Sequence, residues 1–122
     1  MVESYFFDTY ALWETIKGSE NYAKYRSCDC KTSIFNLVEL YFALLREGGP
    51  AAAAAGYRRL KSCLVGIHDE DVFEAMQFRL SAKKKNLSYA DCMGYVMARH
   101  AGVKFLTGDA AFEEMAGVEF VK

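Results

Sequence analysis

Proline occurs once in the 122 residues, tryptophan once and histidine twice, and the acidic and basic side chains nearly cancel to a net charge of -1. With so little histidine, a zinc site of mixed Cys and His ligands has no basis. Cys28-x-Cys30 lacks a second pair or a nearby histidine, and is therefore a weak metal or redox signal. His68 and His100 read as surface or helix-end residues. Long apolar runs are missing too. The stretches Ile34 to Leu45 and Ala51 to Ala55 are interrupted by Asn36 and Glu39 or ended by Gly56, well short of the about 20 residues that span a bilayer. No membrane association is expected. Glu3 and Asp8 break up the first ten residues, so no secretory leader is evident and the expected location is the cytoplasm. The four cysteines, two of them in strongly apolar segments, are accordingly expected to be reduced thiols. What the chain does have is 52% hydrophobic residues in 13.7 kDa, which excludes disorder. A chain of this length buries roughly two thirds of its unfolded surface and needs no staple. A single domain over residues 1–122 is expected.

Ser4 to Phe7 is short and aromatic, and Asp8 and Thr9 follow at once, as at the end of a buried strand. Tyr10 to Lys17 has helical spacing up to Gly18, and Ser19 can cap a second helix to about Arg26. From Ile34 the apolar positions 34, 37, 38, 41, 42 and 45 define a helix that Gly48, Gly49 and Pro50 stop. Its other side carries Phe35, Leu40 and Leu44, so both sides require cover, and a dimer contact is one way to provide it. Ala51 to Lys61 reads as a helix, Ser62 to Ile67 as a short buried strand, and Asp69 to Lys85 and Ser88 to His100 as two further helices. Lys104 to Thr107 and Val118 to Val121 are the last strands, around a short helix over Ala110 to Met115. Strands alternating with helices predict an α/β/α three-layer fold on a central parallel sheet of about four to five strands. Ligands in such folds lie at the carboxyl ends of the strands.

Asp8 ends the first strand and Asp109 follows Lys104 to Thr107, so both carboxylates project from that edge if the two strands are neighbours. Asp91 stands in the first turn of the preceding helix. Glu39 is the only charge in the helix from Ile34 to Leu45, among Phe35, Val38, Tyr41 and Phe42, and an ionised carboxylate there demands a cation or donors. Asn36 and Ala43 share its face. Four convergent carboxylates without histidine point to a hard cation, Mg2+ or Mn2+. Each acid also has a local reading. Asp8 and Asp109 stand where helix N-caps stand, Ser88 and Asp91 have capping-box spacing, and Glu113 and Glu114 suit a solvated surface helix.

Three segments carry a family resemblance: FFDTYAL (6–12), SIFNLVELYFALLREG (33–48) and LSYADCMGYVMARHAGVKFLTGDAAFEEMAGVEFV (87–121). Together they resemble the PIN domain, in particular the small VapC-like ribonuclease toxins. The resemblance implies that Asp8, Glu39, Asp91 and Asp109 are a catalytic, metal-binding quartet for one or two divalent ions. By the same correspondence Thr107, Thr9 and Asn36 support the site, and Glu113 matches an outer position that is sometimes acidic in relatives. The expected activity is metal-dependent hydrolysis of RNA phosphodiester bonds, in a homodimer and with a small antitoxin as partner. A stand-alone RNA-processing nuclease, or an inactive PIN-like interaction module, are the alternatives. An acidic site repels RNA, so positive charge elsewhere must hold it. Arg58, Arg59, Lys61, Lys83, Lys84 and Lys85 are the candidates, although a basic helix end is favourable in its own right. An acyl-phosphate scaffold fits poorly, because a phosphatase of that type requires Asp two residues after the first and position 10 is Tyr.

Overall fold

The computed structural model describes residues 2–122. Strand β1 (Ser4–Phe7) runs into helix α1 (Thr9–Lys17), which Gly18 ends in the left-handed conformation at φ 75°. Glu20–Ser27, expected as an α-helix, is instead wound as 3₁₀ turns. It leads to β2 (Asp29–Lys31), which hydropathy did not reveal because a lone cysteine between two charged residues is too short a pattern to show alternation. Helix α2 (Ile34–Leu60) bends sharply at Gly49, whose φ of 83° and ψ of 177° are non-helical. The two helical segments read from the sequence are therefore present, joined where glycine can take a left-handed φ and where Pro50 suits a helix start.

The strand expected over Ser62 to Ile67 does not form. Lys61–Cys63 is a 3₁₀ turn, and only Leu64 bridges to Thr32, beyond the edge strand β2. Helix α3 covers Asp69–Ser81, shorter than expected, with Lys83–Lys85 in a separate turn. Helix α4 (Tyr89–His100) precedes β3 (Lys104–Thr107). A 3₁₀ turn over Ala110–Phe112 then leads to β4 (Val118–Phe120).

The sheet is parallel throughout, in the order β2-β1-β3-β4. Side chains alternate across it as the pleat requires. Tyr5, Phe7 and Leu106 face the core under α1 and α2, while Phe6 and Phe105 face the core under α3 and α4. Three layers result. Gly94 seats α4 on the sheet, for a Cβ there would lie 2.9 Å from Phe6 and 3.1 Å from Phe105. Because strand order reverses between β1 and β3, the chains leaving these strands diverge and open a crevice at their carboxyl ends. No helix among the described residues is long and apolar enough to cross a membrane.

Candidate functional site

Strand β1 pairs with β3 in the register Phe7↔Leu106, so Asp8 and the Thr107-Gly108-Asp109 segment leave the sheet side by side. Asp8 is 2% exposed. Its Oδ1 accepts from the backbone N–H of Ala11 at 2.8 Å, capping α1, and its Oδ2 accepts from the Thr107 hydroxyl at 2.5 Å. Thr107 in turn accepts the Asp109 backbone N–H at 3.0 Å. One buried hydroxyl thus ties the first acid to the backbone of the last. Asp109 Oδ1 accepts from Ala111 N–H at 2.9 Å.

Asp91 closes a reciprocal capping box with Ser88 at the start of α4. Its Oδ2 accepts from Ser88 N–H at 2.9 Å, and the Ser88 hydroxyl accepts from Asp91 N–H at 3.0 Å. Glu39 projects from α2 and accepts from the Thr9 hydroxyl at 2.8 Å. Thr9 receives the Asn36 amide at 3.2 Å, and Asn36, fully buried, accepts from Ser33 at 2.6 Å. The chain Ser33–Asn36–Thr9–Glu39 therefore orients the fourth acid from its own helix start.

These four acids line one open cavity of about 790 Å³, together with Thr9, Tyr10, Trp13, Arg46, Ser88, Gly108 and Lys122 among others. Gly108 has no room for a side chain, since a Cβ would fall 2.2 Å from the Tyr10 ring and 2.5 Å from the Val121 carbonyl. Burial pushes the Asp8 carboxyl up to about 7, and the Thr107 and Ala11 hydrogen bonds only partly oppose it. The charges of Asp91 and Asp109 push it further. Asp91 is raised too, by burial first and then by the charges of Glu39 and Asp109 against the opposing bonds from Ser88.

The remaining sequence candidates fall elsewhere. Arg58 and Lys61 border an apolar hollow with Val38, Tyr41 and Tyr57, and Arg59 lies beside Cys28, Cys30 and Cys63. Lys85 reaches the Ala111 carbonyl at 3.2 Å, close to the acidic edge but outside the cavity wall, as are Lys83 and Lys84. Glu113 is exposed and does not line it. Trp13 is half-buried and faces the cavity. Arg46, Trp13, Tyr10 and Lys122 were missed as site residues. The first of these stands two helical turns beyond Glu39, a spacing that places both on one face.

The donor set suits a hard divalent ion: every candidate ligand is a carboxylate or hydroxyl oxygen, with no thiol or imidazole among the lining residues. Among the described residues no three His, Cys, Asp or Glu side chains are drawn together closely enough to enclose an ion.

No curated protein shows significant sequence similarity to the chain. Its fold is similar to that of the Mycobacterium tuberculosis toxin VapC20, described as cleaving the sarcin-ricin loop, with a TM-score of 0.77 and 21% identity over 97% of this chain and 99% of that one. A chain of Rickettsia felis VapBC2, solved with a DNA fragment from its promoter, gives a TM-score of 0.73 and 16% identity over 98% and 99%. One of VapBC-1 from nontypeable Haemophilus influenzae gives 0.70 and 12% over 96% of each. At these identities the likeness is one of fold. The family model of the PIN domain, however, matches residues 5–118, a span that takes in all four acidic positions and every strand of the sheet up to the start of β4, and the chain belongs to that family.

Proposed function

We propose that the chain is a divalent-metal-dependent endoribonuclease of VapC-like type. One observation carries the reading: four carboxylates delivered by separate elements line one crevice at the carboxyl ends of β1 and β3, where burial and mutual repulsion raise Asp8 and Asp91. Such a cluster is unfavourable unless positive charge enters it.

Asp8, Glu39, Asp91 and Asp109 would hold one or two Mg2+ or Mn2+ ions, which supply an activated water and charge neutralisation for in-line phosphodiester hydrolysis. The protein's own part is positioning. Thr107 fixes the rotamer of Asp8, Ser88 that of Asp91, and Thr9 with Asn36 that of Glu39, so the carboxylates face the substrate without a search. Glu113, exposed beside the site, would act on its periphery.

A toxin role with a small antitoxin is favoured by the toxin-antitoxin complexes among the similar folds. An arginine from such a partner would make charge-assisted bonds with the carboxylates. A homodimer has a ready surface in Phe35, Val38 and Phe42, which α2 leaves 40%, 57% and 59% exposed. Arg58, Arg59, Lys61 and the Lys83–Lys85 turn are assigned weak, peripheral contacts to RNA phosphates.

The test is cleavage of a mixed RNA pool by the purified protein with manganese, beside an EDTA control and Asp8→Asn. Cleavage that needs both the ion and Asp8 is the expected result. Folded protein that neither cleaves the pool nor binds manganese by calorimetry would return the acids to helix caps and favour an interaction module.

A further inference from the structure

The cavity that holds the carboxylates contains more than a metal site needs. Its wall carries five carboxylates, those of Asp8, Glu39, Glu47, Asp91 and Asp109, and two cations, Arg46 and Lys122. Neither cation forms an ion pair with any described residue, although acids share their cavity. Arg46 is held over the Phe42 ring at 5.3 Å instead. The segment bearing Lys122 is anchored through its backbone: its carbonyl accepts from Asn21 at 3.0 Å, and the Val121 carbonyl accepts from the Tyr22 hydroxyl at 2.5 Å. Two cations without an ion pair beside an acidic cluster are placed for an anion that arrives with the substrate.

The same wall carries an aromatic surface. Tyr10 and Trp13 are three residues apart on α1 and line the same wall. Tyr10 is wedged over Gly108 and lies 6.3 Å from the Tyr22 ring, so its faces are occupied. Trp13 packs on the core yet remains half-buried at the cavity, and Lys17 lies 6.0 Å from its ring centre. The volume of about 790 Å³ falls in the upper part of the roughly 300–1,000 Å³ range of small-ligand sites, enough for a nucleotide beside the acids.

We propose that Trp13 is a base-stacking platform for an unpaired nucleotide of single-stranded RNA, with Arg46 and Lys122 holding the phosphates on either side of it. The inference rests on the nuclease reading and adds to it the residue that holds an unstacked base. A duplex cannot present a base face to Trp13, whereas a single strand or loop can.

Trp13 is the sole tryptophan of the chain, so its emission reads this contact directly. The probe is a 12-nucleotide single-stranded oligoadenylate RNA, added to the Asp8→Asn protein to prevent cleavage, with tryptophan emission and the anisotropy of a dye-labelled copy followed in parallel. Expected are saturable quenching at the same midpoint as the anisotropy change, and no such quenching by a duplex of the same length. Trp13→Ala should weaken binding about 5- to 150-fold, the range for one stacked base, and Trp13→Tyr should restore most of it. Arg46→Ala should flatten the dependence of log K on log salt by about 0.7. In the cleaving protein Trp13→Ala should raise KM more than it lowers kcat. Binding without quenching, equal affinity of Trp13→Ala, or no binding at all would overturn the proposal. The RNA-pool assay separately decides the nuclease reading, since cleavage there alongside any of these results leaves the nuclease standing and removes only the platform.

Discussion

Neutralising Asp8 should stabilise the metal-free protein even as it removes the activity. Below pH 3.8 the Asp8 carboxyl is protonated in folded and unfolded chains alike and has no effect. Between 3.8 and about 7 the unfolded chain releases this proton and the folded one keeps it, so stability falls as pH rises. Above about 7 both are ionised and the whole difference applies. At 1.36 kcal/mol per pKa unit, the gap from 3.8 to about 7 is worth on the order of 4 kcal/mol, an upper bound because water in the open cavity softens it. At roughly 4 °C per kcal/mol for a domain of this size, melting temperatures should differ by up to about 15 °C. The assay is thermal denaturation of the wild type and Asp8→Asn in EDTA from pH 4.5 to 8. Titrating groups away from the cluster are common to both proteins and cancel in the difference, whereas Asp91 and Asp109, whose charges act on Asp8, add to it. The wild type should fall progressively below the variant as pH rises, and manganese should rescue the wild type more at pH 8 than at pH 5.5. Parallel curves in EDTA would refute the claim that burial and neighbouring carboxylates oppose the charge of Asp8.

Three further outcomes follow from the same contacts. Thr107→Val leaves Asp8 Oδ2 and the Asp109 N–H without the hydroxyl that joins them, and should cost about 1–3 kcal/mol in urea unfolding; unchanged stability together with full activity would show the link to be dispensable. Ser88→Ala removes the cap of α4 and should cost about 1 kcal/mol, with a loss of cleavage rate that exceeds what residual unfolding explains; a rate in proportion to the folded fraction would count against a positioning role. The His100 imidazole is raised by its hydrogen bonds to Asp71 and Glu74, so its contribution is complete below pH 6.5 and disappears as pH climbs through its folded value. His100→Ala should accordingly be more destabilising at pH 5.5 than at pH 8.5, and a pH-independent difference would mean that the clasp between α3 and α4 is not ionic.

Those elements of the fold that bury a periodic face were legible in the sequence. The apolar spacing at 34, 37, 38, 41, 42 and 45 identified α2 as a helix, although the face it buries is that of Leu37, Leu40 and Leu44 while Val38 and Phe42 stay exposed, and the short apolar runs at Ser4–Phe7 and Lys104–Thr107 identified the two central strands. What escaped lies at the edge of the sheet. Asp29–Lys31 pairs with β1 through backbone bonds and one side-chain bond, from the Ser4 hydroxyl to Asp29, and a single cysteine between two charged residues reports nothing of that pairing. The apolar segment Ser62 to Ile67 misled for the converse reason, because it is half-buried against neighbouring side chains while only Leu64 reaches a strand. The acidic residues could be picked out one at a time, but their common cavity depends on β1 and β3 being neighbours, which no local pattern states. Arg46 and Trp13 belong to the same wall through helical geometry, and counting turns outward from Glu39 and Thr9 would have reached them.

For Asp91 and Asp109 the local reading and the functional one concern different oxygens of the same carboxylate. Asp91 Oδ2 accepts from Ser88 N–H, which leaves Oδ1 with no protein donor among the described residues, and Asp109 likewise uses only Oδ1. Capping at a helix start places the partial positive end of α4 behind Asp91, offsetting some of the repulsion from Glu39 and Asp109 and locking the rotamer that faces the cavity. Substitution can separate the two roles. Asp91→Asn keeps a carbonyl oxygen for Ser88 N–H and removes a charge that burial, Glu39 and Asp109 oppose, so without metal at neutral pH it should be at least as stable as the wild type while cleavage and manganese binding are lost. Asp91→Ala removes both and should cost about 1 kcal/mol more than Asp91→Asn. If the two variants unfold at the same urea concentration, the side-chain bond contributes nothing to α4 and only the charge of Asp91 matters. If Asp91→Asn still cleaves, the cap was its whole purpose.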